Sequence, residues 1–173
     1  MIKKDYKRRE ELYCCNGFMD ALVCCLSAGF LAVLVYRFGQ TVKWLPFYLT
    51  IPIRVIYFIA FYLVQTFTGI SVQAYAKIGS GFVIAESGCV FVVAESIGEN
   101  FTVSQGVTVG NVRGSRGLPI IGDNVYIEPG AKVLGNIRIG NNVVIRANSL
   151  LLKDAPDNSL VCGNPARITP LDI

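Results

Sequence analysis

The side chains most often used for catalysis and metal binding are sparse in this sequence. There is no histidine, and the six cysteines are Cys14, Cys15, Cys24, Cys25, Cys89 and Cys162. Adjacent cysteines rarely reach disulfide geometry, and a zinc site has no support without histidine or a CxxC pair. We interpret the cysteines as small apolar packing residues in a reducing cytoplasm, and we expect no metal cofactor.

A basic arm begins the chain. The net charge is +4, and much of the positive charge lies in Lys3, Lys4, Lys7, Arg8 and Arg9. No nucleic-acid-binding motif accompanies these residues, so we expect no nucleic-acid partner.

Residues 1–67 are predicted to form an apolar helical segment. No charged residue occurs from Ala21 to Tyr36 or from Val55 to Ala76. The first stretch is short for a membrane span of about 20 residues. Two interpretations stay open: helices that pack on each other or on sister subunits, and a monotopic anchor whose basic arm faces anionic lipid. In the second, interfacial aromatic residues would be Trp44, Phe47, Tyr48 and Tyr57.

From about residue 68, branched aliphatic residues recur every six positions. The longest series is Ile121, Ile127, Val133, Ile139, Ile145 and Leu151. Shorter series are Val72, Ile78, Ile84 and Val90, and Ile97, Val103 and Val109. Units of six residues are too short to fold alone, but when stacked they bury a continuous aliphatic ladder. The pattern predicts a mainly β fold, a parallel β-helix over residues 68–168, with a short tail at 169–173.

The turns of the repeat have their own chemistry. Four of the repeats place Gly or Asn two residues after an Ile-Gly pair, at Gly81, Asn100, Asn124 and Asn142. Both residues tolerate positive φ, which favours a sharp corner after each short strand.

Two breaks interrupt the period. The step from Val90 to Ile97 is seven residues, which predicts one inserted residue there. Residues 110–119 contain three glycines, two arginines and a proline, and they predict a loop that leaves the coil. Such loops are frequent sites of function, although a plain surface loop is the alternative.

These repeats resemble the left-handed parallel β-helix acyltransferases. Gly106 to Gly110, the glycine-rich loop and Ile121 to Ile127 are similar to serine acetyltransferases and to O-acetyltransferases of bacterial surface-polysaccharide synthesis. The end of the repeat, Cys162 to Ile168, also resembles that fold. The apolar N-terminus is more similar to the polysaccharide branch.

The resemblance implies a homotrimer that binds acetyl-CoA in clefts between neighbouring β-helices. It places coenzyme contacts at Pro129, Gly130, Ala131, Ala147, Lys153 and Arg167. Small residues let a thin pantetheine arm approach the backbone, and cations suit phosphates. For Ala131 and Ala147, a corner without room for a larger side chain is an equal alternative.

The chain departs from the family at the catalytic base. Acyl transfer to a hydroxyl needs a group that removes its proton. The resemblance aligns Glu86 with the family's histidine, Ala85 with its acidic neighbour and Leu118 with a second histidine of serine acetyltransferases. Either Glu86 is the base, or the protein has lost its chemistry, or the base is elsewhere, with Glu95 and Glu128 as candidates.

Three functions follow from these interpretations. The first is an acetyl-CoA-dependent O-acetyltransferase for a sugar hydroxyl in bacterial surface-polysaccharide biosynthesis, located in the cytoplasm at the inner face of the membrane. The second is a trimeric scaffold without catalysis. The third is a serine O-acetyltransferase.

Overall fold

In the part of the chain that the structure describes, three helices are followed by fifteen short strands. The computed structural model describes residues 1–13, 27–42, 47–86, 88–112 and 117–171, with the side chains of residues 47–50 excepted. The helices are α1 (Ile2–Tyr13), α2 (Ala28–Val42) and α3 (Phe47–Thr68). The strands are β1 (Ile70–Val72), β2 (Lys77–Ile78), β3 (Val83–Ile84), β4 (Val90–Val92), β5 (Ser96–Ile97), β6 (Thr102–Val103), β7 (Thr108–Gly110), β8 (Ile120–Ile121), β9 (Tyr126–Ile127), β10 (Lys132–Leu134), β11 (Arg138–Ile139), β12 (Val144–Ile145), β13 (Leu150–Leu151), β14 (Ser159–Cys162) and β15 (Arg167–Pro170).

The strands form three sheets that are the faces of a prism. Sheet A has the order β1-β4-β7-β10-β13, sheet B has β11-β8-β5-β2, and sheet C has β15-β14-β12-β9-β6-β3. All neighbouring pairs are parallel except β14 and β15. Every third strand pairs, so the chain advances by one coil per three strands, and the predicted parallel β-helix is confirmed.

The aliphatic ladder fills the interior of the prism. All thirteen residues of the predicted series are buried, and none exposes more than 5% of its surface. Phe82 and Phe101 stack inside the first coils, with ring centroids 5.7 Å apart. Burial of this ladder stabilises the fold by removing apolar surface from water.

Asparagines form a second ladder on the edge between sheets B and C. Gly81 has a φ of 80°, and Asn100, Asn124, Asn142 and Asn158 have φ values of 57°, 55°, 55° and 53°. Each asparagine donates its side-chain N–H to the Oδ1 of the next, over 2.8 to 3.0 Å. The predicted positive-φ turns are therefore confirmed, and asparagine adds a hydrogen bond between coils that glycine lacks.

The register of sheet A corrects the predicted site of the insertion. Val92, not Val90, pairs with Val109 of the next coil. Seven residues therefore separate the ladder residues Ile84 and Val92, whereas five separate Val103 from Val109 in the next coil, and the two coils after it also have five. The next step, from Val92 to Ile97, is five residues, one fewer than the usual six. The four consecutive apolar residues 90–93 fit two frames, and only pairing between coils selects one.

Helices α1 and α2 close the N-terminal end of the prism. Ala32, Val33 and Tyr36 of α2 join the core of the β-helix. The Tyr36 hydroxyl donates to the carbonyl of Ala76 over 2.7 Å and accepts the Ile78 amide over 3.0 Å. Burial raises the pKa of the Tyr36 hydroxyl above its ordinary value of 10.0.

A buried ion pair ties α1 to α2 and to the first coil. Asp5 and Arg37 expose 0% and 4% of their side chains, and Arg37 Nε lies 2.9 Å from Asp5 Oδ2. Asp5 Oδ1 accepts the amides of Gly81 and Phe82 over 2.7 and 3.0 Å. Arg37 also donates to the Ile78 carbonyl over 2.8 Å. The first coil has no preceding coil, so these side chains satisfy backbone groups at its open end.

The C-terminal end is a hairpin. Strand β15 runs antiparallel to β14, with Cys162 opposite Arg167. The strand extends to Pro170, past the boundary predicted at residue 168, because residues 167–170 complete the pairing with β14. Several residues named in the sequence analysis lie outside the described part of the chain. They are Cys14, Cys15, Cys24 and Cys25, the side chains of Trp44, Phe47 and Tyr48, and residues 172 and 173.

Candidate functional site

Glu86 lies in the lengthened corner between β3 and β4, on the edge where sheets C and A meet. We call this the C/A edge. The residue is exposed, and its corner is two residues longer, by the register of the paired strands, than the equivalent corner of the next coil. Two extra residues let the chain project from the prism, so the C/A edge presents a carboxylate at its first coil.

The end of α1 supports this corner from one side. The Tyr13 hydroxyl donates to the carbonyl of Ala85, the residue before Glu86. Arg9 Nη1 donates to the Ile84 carbonyl over 2.7 Å, and the Arg9 guanidinium lies 4.9 Å from the centre of the Tyr13 ring. The conformation at Glu86 thus depends on a helix more than 70 residues earlier in the sequence.

Most of the predicted coenzyme contacts lie on the same edge. Pro129 and Gly130 form the corner of the third coil and Ala147 that of the fourth, stacked below Glu86 at about 4.8 Å per coil. Ala131 is the exception. It is 0% exposed, because its methyl group belongs to the core and not to the outer surface. Its side chain therefore cannot contact a ligand bound outside the prism.

Arg167 lies at the lower end of the C/A edge. It pairs with Cys162, which directly follows the core residue Val161 in the fifth coil, and it is exposed. Strand β15, which contains Arg167, is separated by five strand spacings from β3, the strand before Glu86, which is about 24 Å. The edge therefore carries a carboxylate at one end, small residues in the middle and a guanidinium at the other end.

Glu128 is held by its neighbours on this edge. Its Oε1 accepts Arg146 Nη1 and its Oε2 accepts the amide of Ala147, over 2.8 and 2.9 Å. Its side chain is 19% exposed. A carboxylate with both oxygens engaged is a poor candidate for the base, and it serves here to fix the corner at Ala147.

Two polar residues of the C/A edge were not predicted as site residues from the sequence. Lys132 donates to the Gly106 carbonyl over 2.7 Å, which places a cation beside the small residues. Gln105, one coil below the lengthened corner, has a buried Oε1 without a hydrogen-bond partner.

The Glu128–Arg146 pair could have been predicted from spacing alone, because residues 18 apart occupy equivalent positions on uninterrupted coils.

The remaining candidates lie on the A/B edge, where sheets A and B meet. Lys153 follows β13, Glu95 precedes β5, and both are exposed. The Glu95 amide donates to the Pro119 carbonyl over 3.0 Å, so this carboxylate lies beside the end of the predicted loop. The described loop residues 111–112 and 117–119 are not in strands, while residues 113–116 lie outside the described part. Within one chain, sheet A lies between these residues and the C/A edge that carries Glu86.

No cluster of three or more His, Cys, Asp or Glu residues that could hold a metal occurs in the described part of the chain. A groove with a volume of about 1330 Å³ lies elsewhere, between the N-terminus of α1, α2 and the first strands of sheet B.

The repeats match a known family. Residues 119–153 match the family model described as bacterial transferase hexapeptide (six repeats). Serine acetyltransferase of Staphylococcus aureus is 48% identical over 110 residues, which cover 61% of this chain and 51% of that protein. The Staphylococcus xylosus serine acetyltransferase is 47% identical over 110 residues, with 61% and 50% covered. The chain thus spans about half the length of the curated relatives it matches.

Solved structures of serine acetyltransferases have the same architecture. The Neisseria gonorrhoeae enzyme in complex with serine superposes with a TM-score of 0.78 at 28% identity, over 96% of this chain and 66% of that one. A serine acetyltransferase complex with CoA gives 0.77 at 26% identity, over 97% and 68%. These neighbours span the N-terminal helices as well as the coils. The predicted resemblance to hexapeptide-repeat acyltransferases, and to serine acetyltransferases among them, is confirmed.

Proposed function

We propose that this hexapeptide-repeat protein is an acetyl-CoA-dependent O-acetyltransferase of the serine acetyltransferase type. The observation that carries the proposal is the 48% identity to a serine acetyltransferase over 110 residues. The sugar acceptor predicted from the apolar N-terminus has no support among the relatives, whose names specify serine.

The coenzyme lies along the C/A edge with its thioester at the first coil. Ala147 is exposed and adds only a methyl group to the edge, which leaves space for the pantetheine arm, and Arg167 attracts phosphate oxygens. Their separation along the edge suits an extended, thin ligand. In the proposed trimer, the A/B edge of a neighbouring subunit faces this edge and brings Lys153 to the same cleft.

Glu86 acts as the general base in the reaction. It accepts the proton of the serine hydroxyl as that oxygen bonds to the carbonyl carbon of the thioester. The carbon–sulfur bond then breaks, and Glu86 returns the proton to the departing thiolate. Exposure of Glu86 in the isolated chain is consistent with access for both substrates. A cleft between subunits would exclude water from the reacting groups.

A trimeric scaffold is the second candidate, and the absence of histidine from the chain favours it. A scaffold needs neither a coenzyme site nor a base. Retention of small residues and cations along one edge favours the enzyme, since both are what a coenzyme would require there.

Two measurements separate these functions. Titration calorimetry with coenzyme A is expected to give saturable binding, whereas no binding at millimolar ligand would favour the scaffold. Mass spectrometry of reactions with acetyl-CoA and either L-serine or sugar acceptors then identifies the product. O-acetylserine supports the proposal, and an acetylated sugar without O-acetylserine would replace serine as the acceptor.

A further inference from the structure

The outer face of α3 consists almost entirely of exposed apolar side chains. Phe58, Tyr62, Leu63 and Phe67 expose 53%, 62%, 52% and 84% of their surface. Ile51–Thr68 has a mean hydropathy of 1.5, and no residue of this window is fully buried. An exposed apolar helix face of this kind is normally covered by protein or by lipid.

This apolar surface continues onto α2 and α1. The Phe38 ring of α2 lies 6.5 Å from the Tyr57 ring of α3. Phe38 also lines the large groove together with Met1, Ile2 and Leu34. The three helices therefore present one connected apolar surface and not scattered exposed residues, which is the arrangement that marks an interaction site.

Positive charge surrounds this surface. Lys3 and Lys77 line the groove, and no acidic residue does so among the described residues. Arg54 is exposed near the start of α3. In the sequence, residues 21–85 contain no acidic residue, and besides Arg37, whose charge is paired with Asp5, they contain the basic residues Lys43, Arg54 and Lys77. An anionic surface is the complementary partner.

The predicted basic arm contributes only in part. Arg8 and Arg9 donate to the carbonyls of Gly81 and Ile84, so they hold α1 to the first coil. Burial lowers the pKa of Arg8. Lys3, Lys4 and Lys7 are exposed, and Lys7 lies 3.9 Å from Glu11. Lys3 is therefore the lysine of the arm that lines the apolar groove.

From these observations we infer that the helices bind the surface of an anionic phospholipid bilayer, with the outer face of α3 inserted among the lipids. A protein partner would need hydrogen bonds, about one per 100–200 Å² of interface. Between Val55 and Phe67 the outer face offers only the hydroxyls of Tyr62 and Thr66. The opposite face of α3 packs through Val64 on the core. Only half of the helix is free, so it lies in the membrane interface and does not cross it.

The test uses two leucines of equal exposure. Leu63 on α3 and Leu152 on the A/B edge are both 52% exposed. We expect the full chain to cosediment with vesicles of phosphatidylcholine and phosphatidylglycerol, Leu63→Glu to lose at least tenfold in affinity, and Leu152→Glu to bind as the wild type does. A Phe58→Trp variant is expected to be quenched by brominated lipids beyond the wild-type level, which reports insertion without loss of the apolar face.

A second set of variants tests the contribution of positive charge to vesicle binding, with the control residue on the same sheet as Lys77. Lys77 and Arg138 are exposed on the first and last strands of sheet B. Lys3→Gln combined with Lys77→Gln is expected to weaken binding about 25-fold, at about fivefold per lysine, while Arg138→Gln leaves it unchanged. Equal binding of Leu63→Glu and Leu152→Glu, with no quenching of Phe58→Trp, would overturn the inference. A second result would also overturn it. If Leu63→Glu dissociates an oligomer that forms without lipid, and the variant still binds vesicles, then the outer face of α3 is covered by a second copy of the chain.

Discussion

Replacement of Asp5 by alanine tests whether α1 holds the first coil in place. Asp5 accepts two hydrogen bonds from Arg37 and one each from the amides of Gly81 and Phe82, at 2.7 to 3.2 Å. Both charges are buried, at 0% and 4% exposure. Removal of one partner of a buried ion pair costs about 3–5 kcal/mol, since the remaining charge is left without compensation.

Arg37 keeps its bonds to the carbonyls of Ile78 and Gly79, so we expect the lower end of that range, about 3 kcal/mol. For a chain of this length, that corresponds to a decrease in Tm of about 6–12 °C. Differential scanning calorimetry and urea unfolding, both in a mild detergent that covers α3, measure the loss.

The matched control is Asp157→Ala. Asp157 also accepts a backbone amide, that of Asn141 over 2.7 Å, but it is exposed and has no described ion pair. We expect a loss of about 1 kcal/mol or less for this variant. A loss at Asp5→Ala no greater than at Asp157→Ala would refute the idea that the buried pair anchors α1.

Three further predictions follow from particular contacts. Asn124→Ala is expected to be less stable than Asn124→Gly by about 1 kcal/mol in urea unfolding, because both lose the ladder bonds but only alanine is strained at a φ of 55°; equal stabilities would contradict this. Arg167→Ala is expected to raise the Kd for coenzyme A about 10-fold or more, while pantetheine, which has no phosphates, binds unchanged; equal effects on both ligands would remove Arg167 from the phosphate site. Because burial raises the pKa of Tyr36, its stabilising contribution is present below pH 10.0 and is lost as the pH rises through the folded-state pKa. Tyr36→Phe should therefore unfold with a weaker pH dependence above pH 10.0, and an unchanged slope would exclude this tyrosine as its cause.

The interior of the β-helix could be predicted from the sequence because it repeats. The six-residue spacing placed all thirteen ladder residues in the core, and the Ile-Gly pairs located the positive-φ corners. Such features are local, so each repeat provides its own evidence. Because the same pattern recurs in every repeat, a single atypical residue does not hide it.

The predictions failed where contacts between distant segments decide the structure. Val90 and Val92 are equally suited to the ladder, and pairing with Val109 selects Val92. The insertion therefore lies in the corner between β3 and β4, which holds Glu86, and not between Val90 and Ile97. The spacing of small residues around Gly130 did not reveal that Ala131 faces inward. Nor does any local pattern connect Tyr13 to Ala85, since that contact depends on how α1 docks.

The rate of O-acetylserine formation by Glu86→Gln tests the central claim most directly. The control is Glu99→Gln, an exposed glutamate on the edge between sheets B and C that can keep its bond from Ser80 as glutamine. At saturating acetyl-CoA and L-serine, we predict that Glu86→Gln lowers kcat by about 100-fold or more, with the KM for acetyl-CoA and the rate of Glu99→Gln unchanged. Equal kcat values for the wild type and Glu86→Gln would show that the carboxylate on the lengthened corner is not the base.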